Sequence, residues 1–118
     1  MAFLIDPKSK SITPIDKLPT SLDEIYRLLS ADDQAVDMVE MIRLSNGDVV
    51  LVDEEGSYKK DQYDFEILLT DYKGDADLLP LVNKAIVLRF ENEGGTMERI
   101  VEPLISLAQL QEIVEWDR

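Results

Sequence analysis

The chain contains no cysteine and no histidine. The first absence removes disulfides, thiolate nucleophiles and thiolate zinc sites together. The second removes the side chain that most often moves protons near neutral pH. Ser/His/Asp and Cys/His nucleophilic sets are therefore excluded, and any chemistry is left to carboxylates, hydroxyls, lysine and arginine. A Ser–Lys pair built from Ser9 or Ser57 with Lys8 or Lys59 is formally available, but no spacing in the chain predicts its activation.

Long apolar runs are also missing. The longest stretch without a charged residue is nine residues, Pro103 to Gln111, against about 20 for a membrane-spanning helix. The opening Met1 to Pro7 lacks a basic region and reaches Asp6 early, so no signal peptide is expected. These features predict a soluble cytoplasmic protein with no membrane contact.

Basic residues are scarce: 12 Lys+Arg stand against 25 Asp+Glu, a net charge of −13 on 118 residues. Polyanions such as nucleic acid and anionic lipid are repelled by such a surface, so direct nucleic-acid binding is not expected and basic partners are favoured. The hydrophobic fraction of 45% argues for a folded domain rather than an acidic disordered tail. The excess is local: residues 1–20 hold three Lys and two Asp, and the remainder carries nine basic against 23 acidic residues.

Punctuation along the chain then sets the organisation. Asp6-Pro7-Lys8-Ser9 is turn chemistry between Ala2–Ile5 and Ser11–Ile15, which reads as a hairpin with Pro14 confining its second strand to an edge or an end. Ser21-Leu22-Asp23-Glu24 reads as a capping box opening a helix over about 22–31, with Leu22, Ile25, Tyr26 and Leu29 on one face. Asn46-Gly47 between two β-rich runs predicts a type I′ hairpin. Its second arm, Val49 to Val52, is apolar on both faces and fits a central strand covered on both sides. Residues 57–64 and 70–77 read as loops around a short strand at Phe65–Leu69, and Pro80 argues against a regular central strand at Leu78–Val82. Lys84–Phe90 and Met97–Val101 form a further hairpin across Asn92-Glu93-Gly94-Gly95. A second capping box, Ser106 to Gln109, opens a helix over 107–116, with Trp116 expected against the sheet. The whole reads as one α+β domain over 1–118: a mostly antiparallel sheet of about 5–7 strands built from hairpins, with two helices.

Candidate sites follow from the carboxylates. Asp53-Glu54-Glu55 before Gly56 suits either a solvated turn or, less simply, a divalent-metal site or general base. Asp71, Asp75 and Asp77 around Gly74 lack the ligand spacing of a calcium-binding loop. Gly94-Gly95 is too short for a phosphate loop and reads as a turn. Tyr58, Tyr63, Phe65 and Tyr72 crowd one stretch, a composition suited to a protein interface or a covered core. The expectation is an acidic, non-catalytic interaction protein without cofactor or metal, which meets a basic protein partner, or itself as a homodimer, through Asp53, Glu54, Glu55, Tyr63, Asp64, Asp71, Asp75 and Asp77. Mimicry of the phosphate backbone is one form this could take. A carboxylate-based enzyme or small-ligand or metal binder is the first alternative. A structural homodimer whose acidity serves solubility is the second, with residues 11–15 or Leu78–Val82 as its seam.

Taken together, Phe3-Leu4-Ile5-Asp6-Pro7, the Asn46-Gly47 turn leading into Val52-Asp53-Glu54-Glu55-Gly56, and Asn83 to Leu88 running through Glu93-Gly94-Gly95 to a closing helix and Trp116 resemble a family of small bacterial, phage and plasmid proteins catalogued as a domain of unknown function. The polar 57–64 segment before Phe65-Glu66-Ile67 departs from it. The resemblance implies a mobile-element origin and no established activity, cofactor or catalytic residue.

Overall fold

The computed structural model describes residues 1–30, 38–44, 46–54, 63–70, 76–93 and 97–116. In chain order the elements are β1 (Ala2–Asp6), β2 (Ser11–Ile15), α1 (Leu22–Leu29), β3 (Val39–Arg43), β4 (Val49–Asp53), β5 (Asp64–Thr70), β6 (Ala76–Val82), β7 (Ala85–Glu93), β8 (Met97–Val101), α2 (Leu107–Ile113) and β9 (Val114–Trp116). The α+β class and the antiparallel pairing expected from the sequence are both present. The strands form two sheets: a larger one in the order β2-β1-β7-β4-β3 with β8 on the far part of β7, and a smaller one, β6-β5-β9.

Alternation along the central strands explains the layering. Val49 and Leu51 on β4, with Ile86 and Leu88 on β7, pack with Ile25 and Leu29 of α1. Val50, Val52, Ala85 and Val87 point the other way, onto Phe65 and Ile67 of β5, Leu81 of β6, Leu110 of α2 and Val114 of β9. A strand covered on both faces must be apolar at every position, which is why Val49 to Val52 lack alternation. The order of layers is α1, the larger sheet, α2 with the inner core, and the smaller sheet.

Local chemistry sets the joints. Ser21 caps α1 by accepting from the Glu24 N–H, but the Glu24 carboxylate bonds Thr20, one residue short of a reciprocal capping box. At α2 both halves of the box form between Ser106 and Gln109. The Asn46-Gly47 turn differs from the expected type I′. Only Gly47, at φ +91°, takes the left-handed region there among the described residues, and its N–H donates to the Leu44 carbonyl at 3.0 Å. Leu44 N–H in turn donates to the Asp48 carbonyl at 2.8 Å, so the connection is longer than two residues and Asn46 needs no positive φ.

Asn83, at φ +66°, carries the chain from the small sheet to the large one. It extends the β5–β6 ladder by one rung: its N–H donates to the Tyr63 carbonyl at 2.7 Å, and its side-chain oxygen accepts the Tyr63 N–H at 2.9 Å. Asparagine tolerates this conformation better than most residues.

Three expectations change. The second helix stops at Ile113, and Val114–Trp116 pairs with β5 as a strand. The predicted loop over 70–77 loses Thr70 to β5 and Ala76 and Asp77 to β6, while Leu78–Val82 continues β6 at the end of its sheet, in keeping with Pro80 arguing only against a central strand. Strand β5 runs over Asp64–Thr70, longer than the short strand expected, and absorbs Asp64 from the predicted loop.

Candidate acidic binding face

The outer surface of the small sheet is fixed by register. Phe65 and Ile67 point inward, opposite Trp116 and Val114 on one side and Leu81 and Leu79 on the other. Phe65 meets the Trp116 ring at 6.0 Å and a tilt of 48°. Asp64, Glu66 and Leu68 on β5, Glu115 on β9, and Leu78, Pro80 and Val82 on β6 therefore share the opposite, outward face. Glu66 is directly opposite Glu115. Side chains so placed stand roughly 5 Å apart at Cβ.

Among the described residues this face holds no lysine or arginine, and none of Asp64, Glu66 and Glu115 takes part in an ion pair. Leu78, 40% exposed, and the exposed Pro80 lie beside the carboxylates. The surface is a small acidic sheet with apolar flanks. That geometry suits a surface contact with a cation-bearing partner.

The residues singled out from sequence fall in different places. Asp64 belongs to this face. Tyr63, 41% exposed, stands at its margin with the Lys8 ammonium 5.8 Å from its ring centre. Asp53 ends β4, a different strand in a different sheet, and Glu54 follows it; the Glu54 N–H donates to the Met38 carbonyl at 3.1 Å. Asp77 pairs with Leu69 at the far end of the β5–β6 hairpin, and its carboxylate accepts the Leu78 N–H at 2.9 Å. Glu55, Asp71 and Asp75, like Tyr58 and Tyr72, lie outside the described residues. Among the described residues no three carboxylates are grouped so as to hold a metal ion.

Glu66 and Glu115 escaped sequence reasoning. Glu66 carries a readable signal, as the polar position between Phe65 and Ile67 in an alternating strand. Glu115 carries none, because its segment reads as the tail of a helix.

A second charged feature was also missed. Asp48 is fully buried. Its carboxylate accepts the N–H groups of Leu104 and Ile105, each at 2.9 Å, the Asn46 side-chain amide at 2.9 Å and the Arg89 guanidinium at 3.2 Å. Arg89 also donates to the Asn46 carbonyl at 3.0 Å, and Asn46 accepts the Asp48 N–H at 2.9 Å. With four donors on its two oxygens the carboxylate is satisfied, which is what burial of a charge requires. It ties the β3–β4 turn and β7 to the segment that enters α2. Beside it lies an open depression of about 760 Å³ between Leu18, Phe90, Ile100 and Leu104. Two of its cations are engaged, Arg89 with Asp48 and Arg99 with Glu91.

No described helix is long and apolar enough to cross a membrane. Compared with known proteins, the chain matches no protein-family model, no curated protein and no solved structure.

Proposed function

We propose that the chain is a non-catalytic acidic interaction protein, of mobile-element origin, that engages a basic protein partner through the outer face of β6-β5-β9. One observation carries the reading: Glu66 and Glu115 sit opposite one another on a face that holds no lysine or arginine among its described residues. Like charges directly across a ladder are destabilising. Both side chains point away from the core, so packing does not require them to be acidic. A lysine or arginine set between them by a partner converts repulsion into two attractions. Leu78 and Pro80 add apolar area of the kind that lies beside charged groups at interfaces.

The test is the pair Glu66→Gln and Glu115→Gln in one chain, beside a control of equal charge change, Asp16→Asn with Asp23→Asn. Binding of a lysine-rich peptide is followed by fluorescence anisotropy at low and high salt. The expected outcome is weaker binding by the face variant than by the control, with affinity falling as ionic strength rises, since salt screens the attraction. The face variant should also melt higher than the parent, because a repulsion is gone. Equal binding by both variants, or binding indifferent to salt, overturns the reading.

A further inference from the structure

We infer that β3 is a self-pairing edge, through which two copies of this chain join their larger sheets around Met41. The inference is independent of the acidic face, which lies on the other sheet.

The larger sheet's path ends on β2 and β3, and the smaller sheet's on β6 and β9. Exposed edges invite pairing with another chain, and proteins blunt them with proline, brevity or charge. Strand β2 carries Pro14, β6 carries Pro80, β9 has three residues, and β8, a further edge, flanks only the far part of β7 and borders no other described strand of the larger sheet. Strand β3 has five residues and no proline, and its two charges, Glu40 and Arg43, are opposite in sign. The strand itself carries no net charge, and in an antiparallel pair its Arg43 end faces the end where Asp53 and Glu54 lie on the neighbouring β4. Met38 and Met41, on and just before this strand, are 53% and 43% exposed.

The free hydrogen bonds have a definite register. Leu44 N–H donates to Asp48, and the Met38 carbonyl accepts from Glu54, so even-numbered residues bond inward to β4. Alternation then turns the N–H and C=O groups of Val39, Met41 and Arg43 outward. A two-fold axis through Met41, perpendicular to the sheet, places Met41 against Met41 of the second copy and Val39 against Arg43. Every outward residue then meets an outward residue, and Glu40 faces Ile42 rather than another carboxylate. A contact of one short strand falls well below the roughly 1,200 Å² of standard interfaces, so the association is weak and concentration-dependent.

The absence of cysteine makes the register directly testable. Residues opposed in a hydrogen-bonded antiparallel pair have Cα atoms about 5.5 Å apart, within disulfide range. In the full chain, Met41→Cys should cross-link to a dimer under mild oxidation, whereas Glu40→Cys, offset from its own copy by two positions, should not. Val39→Cys and Arg43→Cys should each cross-link poorly alone and well when mixed. Sedimentation of the cysteine-free parent should show mass rising with concentration toward the dimer. Met41→Pro removes an outward N–H without touching the β4 ladder and should hold the chain monomeric, with circular dichroism verifying the fold. A parent that stays monomeric at the highest attainable concentration overturns the proposal. So does Met41→Cys cross-linking no faster than Glu40→Cys, which would place any dimer on another seam.

Discussion

Asp48 shows how much a single side chain can organise. Three of its partners, Leu104, Ile105 and Arg89, are 41 or more positions away in the chain. Replacing it by alanine leaves two backbone N–H groups, an amide and a guanidinium without their acceptor. The expected loss is about 3 kcal/mol or more in a denaturant titration, because unpaired buried donors bear their full desolvation cost. Gly47 is bound to the same site, since a Cβ there would lie 3.1 Å from the Arg89 guanidinium nitrogens on a backbone at φ +91°. Nearer the surface, the Thr20 N–H and hydroxyl hold the Glu24 carboxyl below its usual range. A group whose pKa is lower folded than unfolded supports the fold above its unfolded value and loses that support as pH falls through the folded one. Glu24→Gln should therefore flatten the decline in stability on acidification and leave the slope near neutrality unchanged, read as thermal midpoint against pH.

At the scale of elements, α2 and β9 form one continuous piece whose helical half is set by its cap. Ser106 and Gln109 satisfy each other's backbone N–H at 3.1 and 2.9 Å. Ser106→Ala should cost roughly 0.5–2 kcal/mol and loosen β9 as well, visible as faster amide exchange at Val114 and Trp116. The contrast in legibility between elements has a physical basis. Helix α1, the N-terminal hairpin and the β3–β4 hairpin rest on local signals, namely caps, turn residues and periodicity, and all three were readable. Strand β9 was not, since three residues after a helix have no periodicity of their own and become a strand only when β5 offers them a ladder. The acidic face was half readable for the same reason. Asp64 and Glu66 belong to an alternating strand, but their company with Glu115 exists only in the β5–β9 register. Asp53 and Asp64 look near in sequence and end in different sheets, because the chain leaves the larger sheet after β4 and joins the smaller one at β5, and no composition count registers that.

For the whole molecule, the charge of −13 acts in two opposite ways. Self-repulsion works against the compact state, and attraction to a basic partner draws on the same carboxylates. Raising simple salt should lift the thermal midpoint of the free chain while weakening its complex with a lysine-rich peptide. A scan of both quantities in one buffer series checks this, and parallel movement would contradict it. The layering also limits where partners can meet the fold. Helix α1 covers one face of the larger sheet, and the inner core with the smaller sheet covers the other. This leaves the outer face of β6-β5-β9 and the rims of the sheets as the strand surfaces open to another molecule.

The knot at Asp48 has a consequence in time as well as in energy. Its ligands come from the β3–β4 turn, from β7 and from the segment before α2, so it closes only after those parts have assembled. Contacts completed after the rate-limiting step act on escape from the native state and leave the approach to it nearly untouched. Asp48→Asn should accordingly leave the refolding limb of a chevron close to the parent's and raise the unfolding limb, which would make this carboxylate one governor of native lifetime.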